Sequence, residues 1–332
     1  MKKIILLLLI AVACFAVALP ARSVSAASAE KQAGDTASAA SKKPHLFASP
    51  EDAVKALKAA VDADDLNALR DLFGPGIEQV VSGDKVQDAK ELASFTTIMK
   101  EACELSKQGD SKVVLNLGNE NWPFPIPLVK QADGQWYFDA LAGREEIVNR
   151  RVGENELNAI EICRAYVGAQ RQYASADHDG NGVLKYAQKI KSTPGKKDGL
   201  FWDAPENEEQ SPFGPLVANA NEEGYGKKSS AGTPEPYKGY FFKVIKTQGS
   251  SAPGGAYNYV INGNMIGGFA LIAWPATFGQ SGVMTFMVNQ QGKIYQKSLG
   301  ENTSELAKQI VAYNPDKTWT LVGDESNPPP SK

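Results

Sequence analysis

Apolar residues recur with helical spacing through the first patterned part of the chain, residues 48–76. Two apolar runs are separated by the polar sequence DADD at 62–65. Ser49 is suited to cap the first run, Pro50 suits its first turn, and the sequence GPG at 74–76 is suited to end the second run. The pattern therefore predicts two short helices, and a further helical region is expected at 86–108.

Strand patterns follow these helices. KVVLNLG at 112–118 and FPIPLVKQADGQWYFDAL at 124–141 are rich in β-branched and aromatic residues. Asp133-Gly134 offers a hairpin turn inside the second stretch. Helices followed by hairpins predict a small N-terminal α+β domain, similar in shape to nuclear-transport-factor-like folds.

The longest helical pattern spans residues 144–174, where Ile160, Cys163 and Val167 recur at helical spacing. From 192 to 236 the residues Gly, Pro, Ser, Asn and Glu dominate, which indicates loops with one short helix near 215–221. The long helix is expected to pack on whatever sheet the remaining third of the chain forms.

The last third has the composition of β-strands. Residues 237–249, 257–279 and 282–300 combine β-branched and aromatic residues with turn signals such as NGN and NQQGK. Apolar and polar positions alternate between 282 and 297, which predicts one buried and one wet face. A short helix is expected at 303–312. The predicted fold class is therefore α+β, with N-terminal helices plus β-hairpins, then a long helix packed on an antiparallel sheet.

The N-terminus has the layout of a secretory signal peptide. Lys2 and Lys3 precede an apolar run from Ile4 to Leu19, and small residues follow. A secreted or periplasmic location is predicted; a retained membrane anchor and lipoprotein processing at Cys14 are the alternatives. The predicted organisation is a signal peptide at 1–27, a flexible linker at 28–46, an N-terminal α+β domain at 47–150, a C-terminal helix-plus-sheet domain at 151–322 and a disordered tail at 323–332.

Composition narrows the function classes. Of the 332 residues 42% are hydrophobic and 22% charged, and the net charge of -3 comes without a dense Lys/Arg stripe, so nucleic-acid binding is not expected. Only two histidines, His45 and His178, are present, which disfavours a multi-histidine metal centre and most nucleophilic triads. If Cys14 is removed with the signal peptide, Cys103 and Cys163 either pair or stay free. No catalytic constellation is recognisable, so an enzyme is not favoured.

One loop has the pattern of a calcium site. In ASADHDGNGVLKYAQ at 174–188, acidic and amide residues alternate before a glycine, as they do in helix-flanked calcium loops. The ligand positions are Asp177, Asp179, Asn181, Val183 and Gln188. Because Gln188 cannot supply a bidentate carboxylate, a Ca2+ ion here would bind weakly and act as a structural staple. The alternative is an Asp/Asn-rich turn without metal.

Three other sets of residues carry chemistry. His178, between two aspartates, could act as a general base. An envelope-polymer hydrolase could use the acidic residues Asp139, Glu145, Glu146 and Glu154. Several aromatic residues could line a groove for sugar or peptide, although a role in the sheet core is expected for them: Trp202, Tyr237, Tyr240, Tyr257, Tyr259 and Trp274.

Long motifs resemble a known family. WPFPIPLVK, GREEIVNRRVGENELNAI, SPFGPLV and MIGGFALIAWPATFGQSGVMTFMVNQQGKIYQKSLG are similar to the bacterial secreted family called domain of unknown function 2950, which implies no activity. In addition, GYFF at 239–242, AWP at 273–275 and residues 282–294 are similar to the globular half of type IV pilin-like proteins. That weaker resemblance implies a pilin-like antiparallel sheet beneath the long helix. Since a further domain precedes the helix, it does not imply assembly into a pilus.

The leading hypothesis is a secreted or periplasmic protein without catalytic activity, which binds or scaffolds an envelope protein or polymer and is stabilised by calcium if the loop binds it. No stable membrane span is expected after cleavage of the signal peptide. The alternatives are the acidic-residue hydrolase and an accessory component of a pilus or secretion system.

Overall fold

A computed structural model describes residues 44–323 except 64, 75, 78–81, 83, 206 and 218–235. The predicted signal peptide and most of the predicted linker lie outside the described residues, as does the chain beyond 323. Among the residues that are described, no helix combines the length and hydropathy that a bilayer-spanning segment needs.

Three helices open the described part of the chain: α1 at Pro50–Asp62, α2 at Leu66–Phe73 and α3 at Lys85–Glu101. Each begins at a side chain that accepts backbone hydrogen bonds, namely Ser49, Asp65 and Asp84. The two predicted N-terminal helices are confirmed.

The first sheet is antiparallel and contains β1 at Cys103–Lys107, β2 at Lys112–Leu117, β3 at Trp122–Pro123, β4 at Leu128–Lys130 and β5 at Trp136–Phe138. The strand order is β1-β2-β4-β5, and β3 also pairs with β2. The predicted helix over 86–108 is wrong in its last part, because β1 pairs with β2 at five consecutive positions there. The predicted hairpin is confirmed, since β4 and β5 pair around Gly134, which has a φ of 88°.

A first hydrophobic core lies between these helices and this sheet. Its larger buried members are aliphatic residues, phenylalanines, Met99 and Trp136, and the Phe73 and Phe138 rings meet edge to face at 5.2 Å. Phe47 joins it through a pair of backbone hydrogen bonds with Trp136, both 2.8 Å.

Helix α4 runs over 34 residues, Ala140–Tyr173, and starts earlier than the predicted 144. Asp139 caps it by accepting a hydrogen bond of 3.0 Å from the Ala142 amide. At Gly143 the helix approaches the first sheet so closely that a Cβ would lie 2.7 Å from the Pro125 carbonyl oxygen. Residues at the start of α4 thus pack in the first core, whereas residues from Ala159 onward pack in a second core.

Residues 174–217 connect α4 to the second sheet and are called the connecting segment. It is largely irregular and contains one helical turn at 214–217, where a short helix near 215–221 is predicted; positions from 218 lie outside the described residues.

The second sheet is also antiparallel. Its strands are β6 at Tyr240–Ile245, β11 at Ala270–Pro275, β12 at Met284–Asn289, β13 at Ile294–Ser298 and β14 at Thr320–Leu321. They lie in the order β14-β13-β12-β11-β6. Two small hairpins precede β11 and pair β7 (Thr247–Gln248) with β8 (Tyr257–Asn258) and β9 (Val260–Ile261) with β10 (Asn264–Met265). Helix α5, at Thr303–Gln309, corresponds to the helix predicted at 303–312.

The second sheet is covered on both faces. Tyr166 of α4 donates a hydrogen bond of 3.2 Å to the Ala270 carbonyl on one side. On the other side the Lys243 ammonium donates to the Lys308 carbonyl in the last turn of α5, at 2.8 Å. The predicted wet face is therefore wrong for β12, where Thr285 and Asn289 are fully buried. The reason is that α5 and the chain after it return across that face.

The second core contains five buried tyrosines among its apolar residues: Tyr166, Tyr173, Tyr240, Tyr259 and Tyr313. Cys163 is buried in it, whereas Cys103 is half-buried beside the first core, and neither cysteine forms a disulfide. The α+β class and the long helix packed on an antiparallel sheet are confirmed. The exact domain boundaries and the relation to type IV pilins stay predictions.

Candidate functional site

The aspartate-rich part of the connecting segment is organised by Asp177. Its carboxylate accepts backbone hydrogen bonds from Gly180 at 3.0 Å, Gly182 at 2.7 Å and Asp179 at 3.3 Å. Gly180 and Gly182 have φ values of 68° and 81°, which favour glycine. The hydrogen bond from the Gly182 amide is the main reason why the pKa of Asp177 is lowered. This geometry closes the loop around one carboxylate.

The neighbouring carboxylate already has a cation beside it. The Lys185 ammonium forms an ion pair with Asp179 and lies 3.0 Å from the Asn264 side-chain oxygen, and the Lys185 side chain is only 13% exposed. Lys185 occupies the ninth position of the calcium-loop pattern that begins at Asp177. A Ca2+ ion bound to Asp179 would therefore compete with an ammonium that the loop itself supplies.

The last predicted ligand faces elsewhere. Gln188 donates a hydrogen bond of 2.7 Å to the Gly263 carbonyl and accepts one of 3.1 Å from Lys246. The Val183 amide donates to the Asn181 side-chain oxygen at 2.9 Å. The structure thus brings Asp177, Asp179, Asn181 and Val183 into one loop and ties Gln188 to the β9–β10 turn. Within the part of the chain that is described, no three His, Cys, Asp or Glu side chains are grouped to hold a metal. Calcium binding stays a prediction.

His178 is buried behind this loop. Its side chain is 4% exposed and its ring stacks on Tyr173 with centroids 4.2 Å apart. Nε2 lies 2.9 Å from the Tyr173 carbonyl, to which it can only donate, and Nδ1 lies 3.7 Å from a Glu209 carboxylate oxygen. The carboxylate beside the ring is therefore that of Glu209 and not one of the flanking aspartates. A ring so enclosed is placed to support structure rather than to take a proton from a substrate.

Trp202 completes an aromatic frame, defined here as Tyr173, His178 and Trp202. The Trp202 ring lies 6.4 Å from Tyr173 and 5.4 Å from His178, and its Nε1 donates to the Glu209 carbonyl at 3.1 Å. The Tyr173 hydroxyl donates to the Lys197 carbonyl at 2.7 Å. Burial, followed by the nearby charges of Asp179, Asp198 and Glu209, raises the pKa of Tyr173 to about 12. The frame therefore fixes Trp202 from several sides.

A cleft of about 380 Å³ opens in front of Trp202. Of the described residues that line it, those with aromatic, polar or rigid groups are Phe201, Trp202, Asp203, Gln210, Ser211 and Pro215. Phe201 is half-buried, Asp203 and Gln210 are exposed, and Ser211 is buried. The arrangement joins aromatic surface to a few polar groups, as small-ligand sites do.

The four acidic residues of the hydrolase hypothesis do not meet in a cleft. Asp139 caps α4, and Glu146 pairs with Arg150 at 2.6 Å. Glu145 and Glu154 are exposed on the same helix. At about 1.5 Å of rise per residue these four residues are spread over about 22 Å along the first half of one helix, and none of them lines the cleft beside Trp202.

Most of the singled-out aromatic residues belong to the sheet core, as expected. Tyr240 and Tyr259 are fully buried and Trp274 is 7% exposed, whereas Tyr257 is 37% exposed. Trp202 differs because it borders the cleft while packing in the core. Sequence reasoning missed Phe201, Asp203 and Gln210; the signal was the FWD sequence at 201–203, where two aromatics precede a carboxylate in a loop region.

The chain belongs to a family of proteins of unknown function, DUF2950, whose family model matches residues 44–322. This match confirms the resemblance to the family that the long sequence motifs indicate. No curated protein and no solved structure matches the chain.

Proposed function

We propose that this DUF2950 protein is a secreted or periplasmic binding protein without catalytic activity, which holds an envelope component in the cleft beside Trp202. The observation that carries the proposal is the fixed aromatic frame behind an open cleft of about 380 Å³. A site that is ordered before its ligand arrives loses less conformational freedom on binding. Trp202 is held by a hydrogen bond from its indole nitrogen and by contacts with two rings of the frame. A side chain fixed in this way at the edge of a cleft is suited to binding a ligand as well as to packing in the core.

The same features disfavour turnover. The buried His178 ring already contacts Tyr173 and Glu209. Burial raises the pKa of the Cys163 thiol to about 12, so this cysteine is a poor nucleophile. The secreted location is supported by the N-terminal sequence pattern. Calcium at the Asp177 loop would add stability to the same segment as a weak structural ion.

Two alternatives are supported less. The acidic-residue hydrolase requires a carboxylate pair, and its four residues lie along one helix. A pilus or secretion accessory is favoured by one observation only, the packing of a long helix on an antiparallel sheet, and that arrangement is compatible with many functions.

The test is site-specific photo-cross-linking in cells. A photoreactive phenylalanine analogue at position 201 lies in the cleft, and the same analogue at the exposed position 104 in β1 is the matched control. The expected result is a cross-linked envelope component, identified by mass, that forms at position 201 and not at 104. Identical products at both positions, or none at 201, would contradict the proposal.

A further inference from the structure

Helix α4 presents one exposed face along its central part. At about 100° per residue, six residues of the helix fall within an arc of about 80°. This set is called the α4 face, and it consists of Glu146, Arg150, Gly153, Leu157, Glu161 and Arg164. All six are exposed, and at about 1.5 Å per residue they extend over about 27 Å of helix. The described chain therefore leaves this face open to a contact with another molecule.

Gly153 lies near the middle of the α4 face. Inside a helix, glycine is less favourable than alanine because it has more conformational freedom to lose. Gly143, at the start of the same helix, has a reason within the chain, since a Cβ there would lie 2.7 Å from the Pro125 carbonyl oxygen. At Gly153 a Cβ would meet nothing within 4 Å. Packing within the described chain thus does not require this glycine, whereas the close approach of a second helix would.

Leu157 follows Gly153 by about one helical turn. Its side chain is 63% exposed, although Ala159 and Ile160 nearby are buried in the second core. Single exposed leucines are common on protein surfaces, so exposure by itself carries no argument. This leucine, however, shares a helix face with an open glycine. When two helices pack, a side chain of one fills the space between side chains of the other, and a glycine makes that space deeper.

The charges of the α4 face fit a second copy of the same helix. Positions 153 and 157 have their midpoint at 155, and positions 146 and 164 have the same midpoint. If two copies of α4 pair antiparallel about a two-fold axis at that level, Leu157 of each copy faces Gly153 of the other. In the same register, Glu146 of each copy faces Arg164 of the other. One register therefore joins the leucine to the glycine and opposite charges to one another.

From this match we infer that the α4 face is the interface of a symmetric, antiparallel dimer of this protein. Glu146 is already paired with Arg150 at 2.6 Å within the helix, and Arg150 comes within one residue of facing Glu161 of the second copy. Each end of the contact thus joins two carboxylates and two guanidinium groups. A contact of one helix with one helix is small beside the roughly 1,200–2,000 Å² of stable interfaces, so the dimer is weak. The inference goes beyond the proposed function and does not depend on the cleft.

The test is sedimentation analysis of the purified full chain between about 5 and 500 µM, a range in which a weak dimer is expected to replace the monomer. Leu157→Gln should weaken the association at least about tenfold, because each copy loses a buried leucine. Leu184→Gln, at a leucine that is 58% exposed outside α4, is the matched control and should leave the association within about twofold. A protein that stays monomeric over the whole range, or equal association of these two variants, would overturn the inference.

Gly153→Ala separates association from folding. Alanine should raise the Tm of the monomer, because it is the better helix former, and should weaken the dimer about fivefold by holding the helices apart. Gly168→Ala is the control, since a Cβ there also meets nothing within 4 Å. It lies about 20 Å along the helix from the two-fold axis, where crossing helices have diverged, so it should raise Tm without weakening the dimer. A higher Tm with unchanged association in Gly153→Ala would contradict the inference.

Two charge variants test the register. Glu146→Arg and Arg164→Glu each place like charges at both ends of the contact, so each variant alone should associate about tenfold more weakly. Mixed in equal amounts, the two variants should associate with one another about as strongly as the unmodified protein, because both ends of the mixed pair again join opposite charges. Sedimentation with one variant fluorescently labelled measures the mixed pair. If mixing restores nothing, the two-fold register and the inference with it are wrong.

Discussion

The two hydrophobic cores of this protein are built from different side chains. The first core, between α1–α3 and the first sheet, has no tyrosine among its buried described members and is filled mainly by phenylalanine and aliphatic residues, with Met99 and Trp136. The second core, between α4, α5 and the second sheet, contains five buried tyrosines. Phenylalanine packs by shape alone, whereas a buried tyrosine usually has a hydrogen-bond partner. Four of these five hydroxyls donate to a carbonyl or side-chain oxygen, and the fifth, that of Tyr313, has no partner among the described residues. The second core is thus the more directional of the two.

The tyrosine hydroxyls tie distant parts of the second core to one another. Tyr240 donates to the Met284 carbonyl at 2.9 Å, and Tyr259 donates to the Gln248 side-chain oxygen at 3.0 Å. Gln170 donates to the Tyr166 hydroxyl at 2.9 Å and also binds Ala187 of the connecting segment. The irregular segment that carries the cleft is therefore held by the polar part of the core. The comparison predicts that the second core depends on hydrogen bonds and pH more than the first.

The largest effect is expected for Gln170→Met. Gln170 is fully buried, and its amide donates to the Ala187 carbonyl and accepts from the Ala187 amide, each at 2.8 Å. Methionine fills similar space but leaves these backbone groups without a partner and removes the hydrogen bond that the Tyr166 hydroxyl accepts, so the free energy of unfolding should fall by about 3–5 kcal/mol. Urea unfolding followed by circular dichroism measures it.

The matched control is Leu117→Met in the first core, at a residue that is also fully buried. A volume-conserving swap between apolar residues should cost less than about 1.5 kcal/mol. Equal losses for the two methionine variants would mean that the cores do not differ in the way their side chains suggest.

An intermediate effect is expected at alkaline pH. Burial and then the neighbouring carboxylates raise the pKa of Tyr173 to about 12, above the ordinary value of about 10. The folded state therefore keeps this proton longer than the unfolded state. The protonated Tyr173 therefore contributes on the order of 2 kcal/mol to the free energy of unfolding. This contribution is complete below pH 10 and is lost as the pH rises toward 12. Urea unfolding between pH 9 and 12, with absorbance at 295 nm to follow tyrosine ionisation, measures the loss.

Tyr173→Phe sharpens this prediction. The variant should be less stable at neutral pH by about 1 kcal/mol, because the hydrogen bond to the Lys197 carbonyl is lost, but its stability should decline less between pH 10 and 12. Tyr257→Phe, at an exposed tyrosine, is the control and should keep the decline of the unmodified protein. If Tyr173→Phe and the unmodified protein decline in parallel, Tyr173 does not carry this dependence.

The smallest effect concerns calcium and the connecting segment. If the Asp177 loop binds Ca2+ weakly, millimolar calcium should raise Tm by about 1 °C relative to chelator, and Asp177→Ala/Asp179→Ala should abolish the rise. Because the Lys185 ammonium competes for Asp179, Lys185→Met should enlarge the rise to about 3 °C. Differential scanning calorimetry measures both. If the unfolding curves in calcium and in chelator overlap for the unmodified protein, and also overlap for Lys185→Met, the loop is a turn that binds no metal.

Much of the fold followed from local patterns. Ser49 and Pro50 marked the start of α1, Asp133-Gly134 marked a hairpin, and the NGN sequence marked the β9–β10 turn, where Asn262 and Gly263 have φ values of 49° and 80°. Each of these depends on a few neighbouring residues. Strand β1 was missed because its sequence CELSK has neither strong alternation nor β-branched residues, and only pairing with β2 makes it a strand.

The candidate site was harder to predict because it depends on contacts between residues far apart in the chain. The calcium-loop pattern located Asp177 correctly in a tight loop, but nothing local indicated that Lys185 would pair with Asp179 or that Gln188 would bind the Gly263 carbonyl. His178 found its carboxylate partner at Glu209, 31 positions away, rather than at its neighbours. The prediction of a solvent-exposed face for β12 was wrong for the same reason. Thr285 and Asn289 are buried by α5 and the chain after it, which are distant in sequence.

The continuity of α4 through both cores constrains how the protein can change in length. Between Ile147, which packs against the first core, and Ala159, which packs in the second, the helix is unbroken. Inserting or deleting one residue there would rotate one end relative to the other by about 100° and turn one apolar stripe toward water. Related sequences should therefore vary in length in the connecting segment, while the stretch from 147 to 159 keeps a constant number of residues.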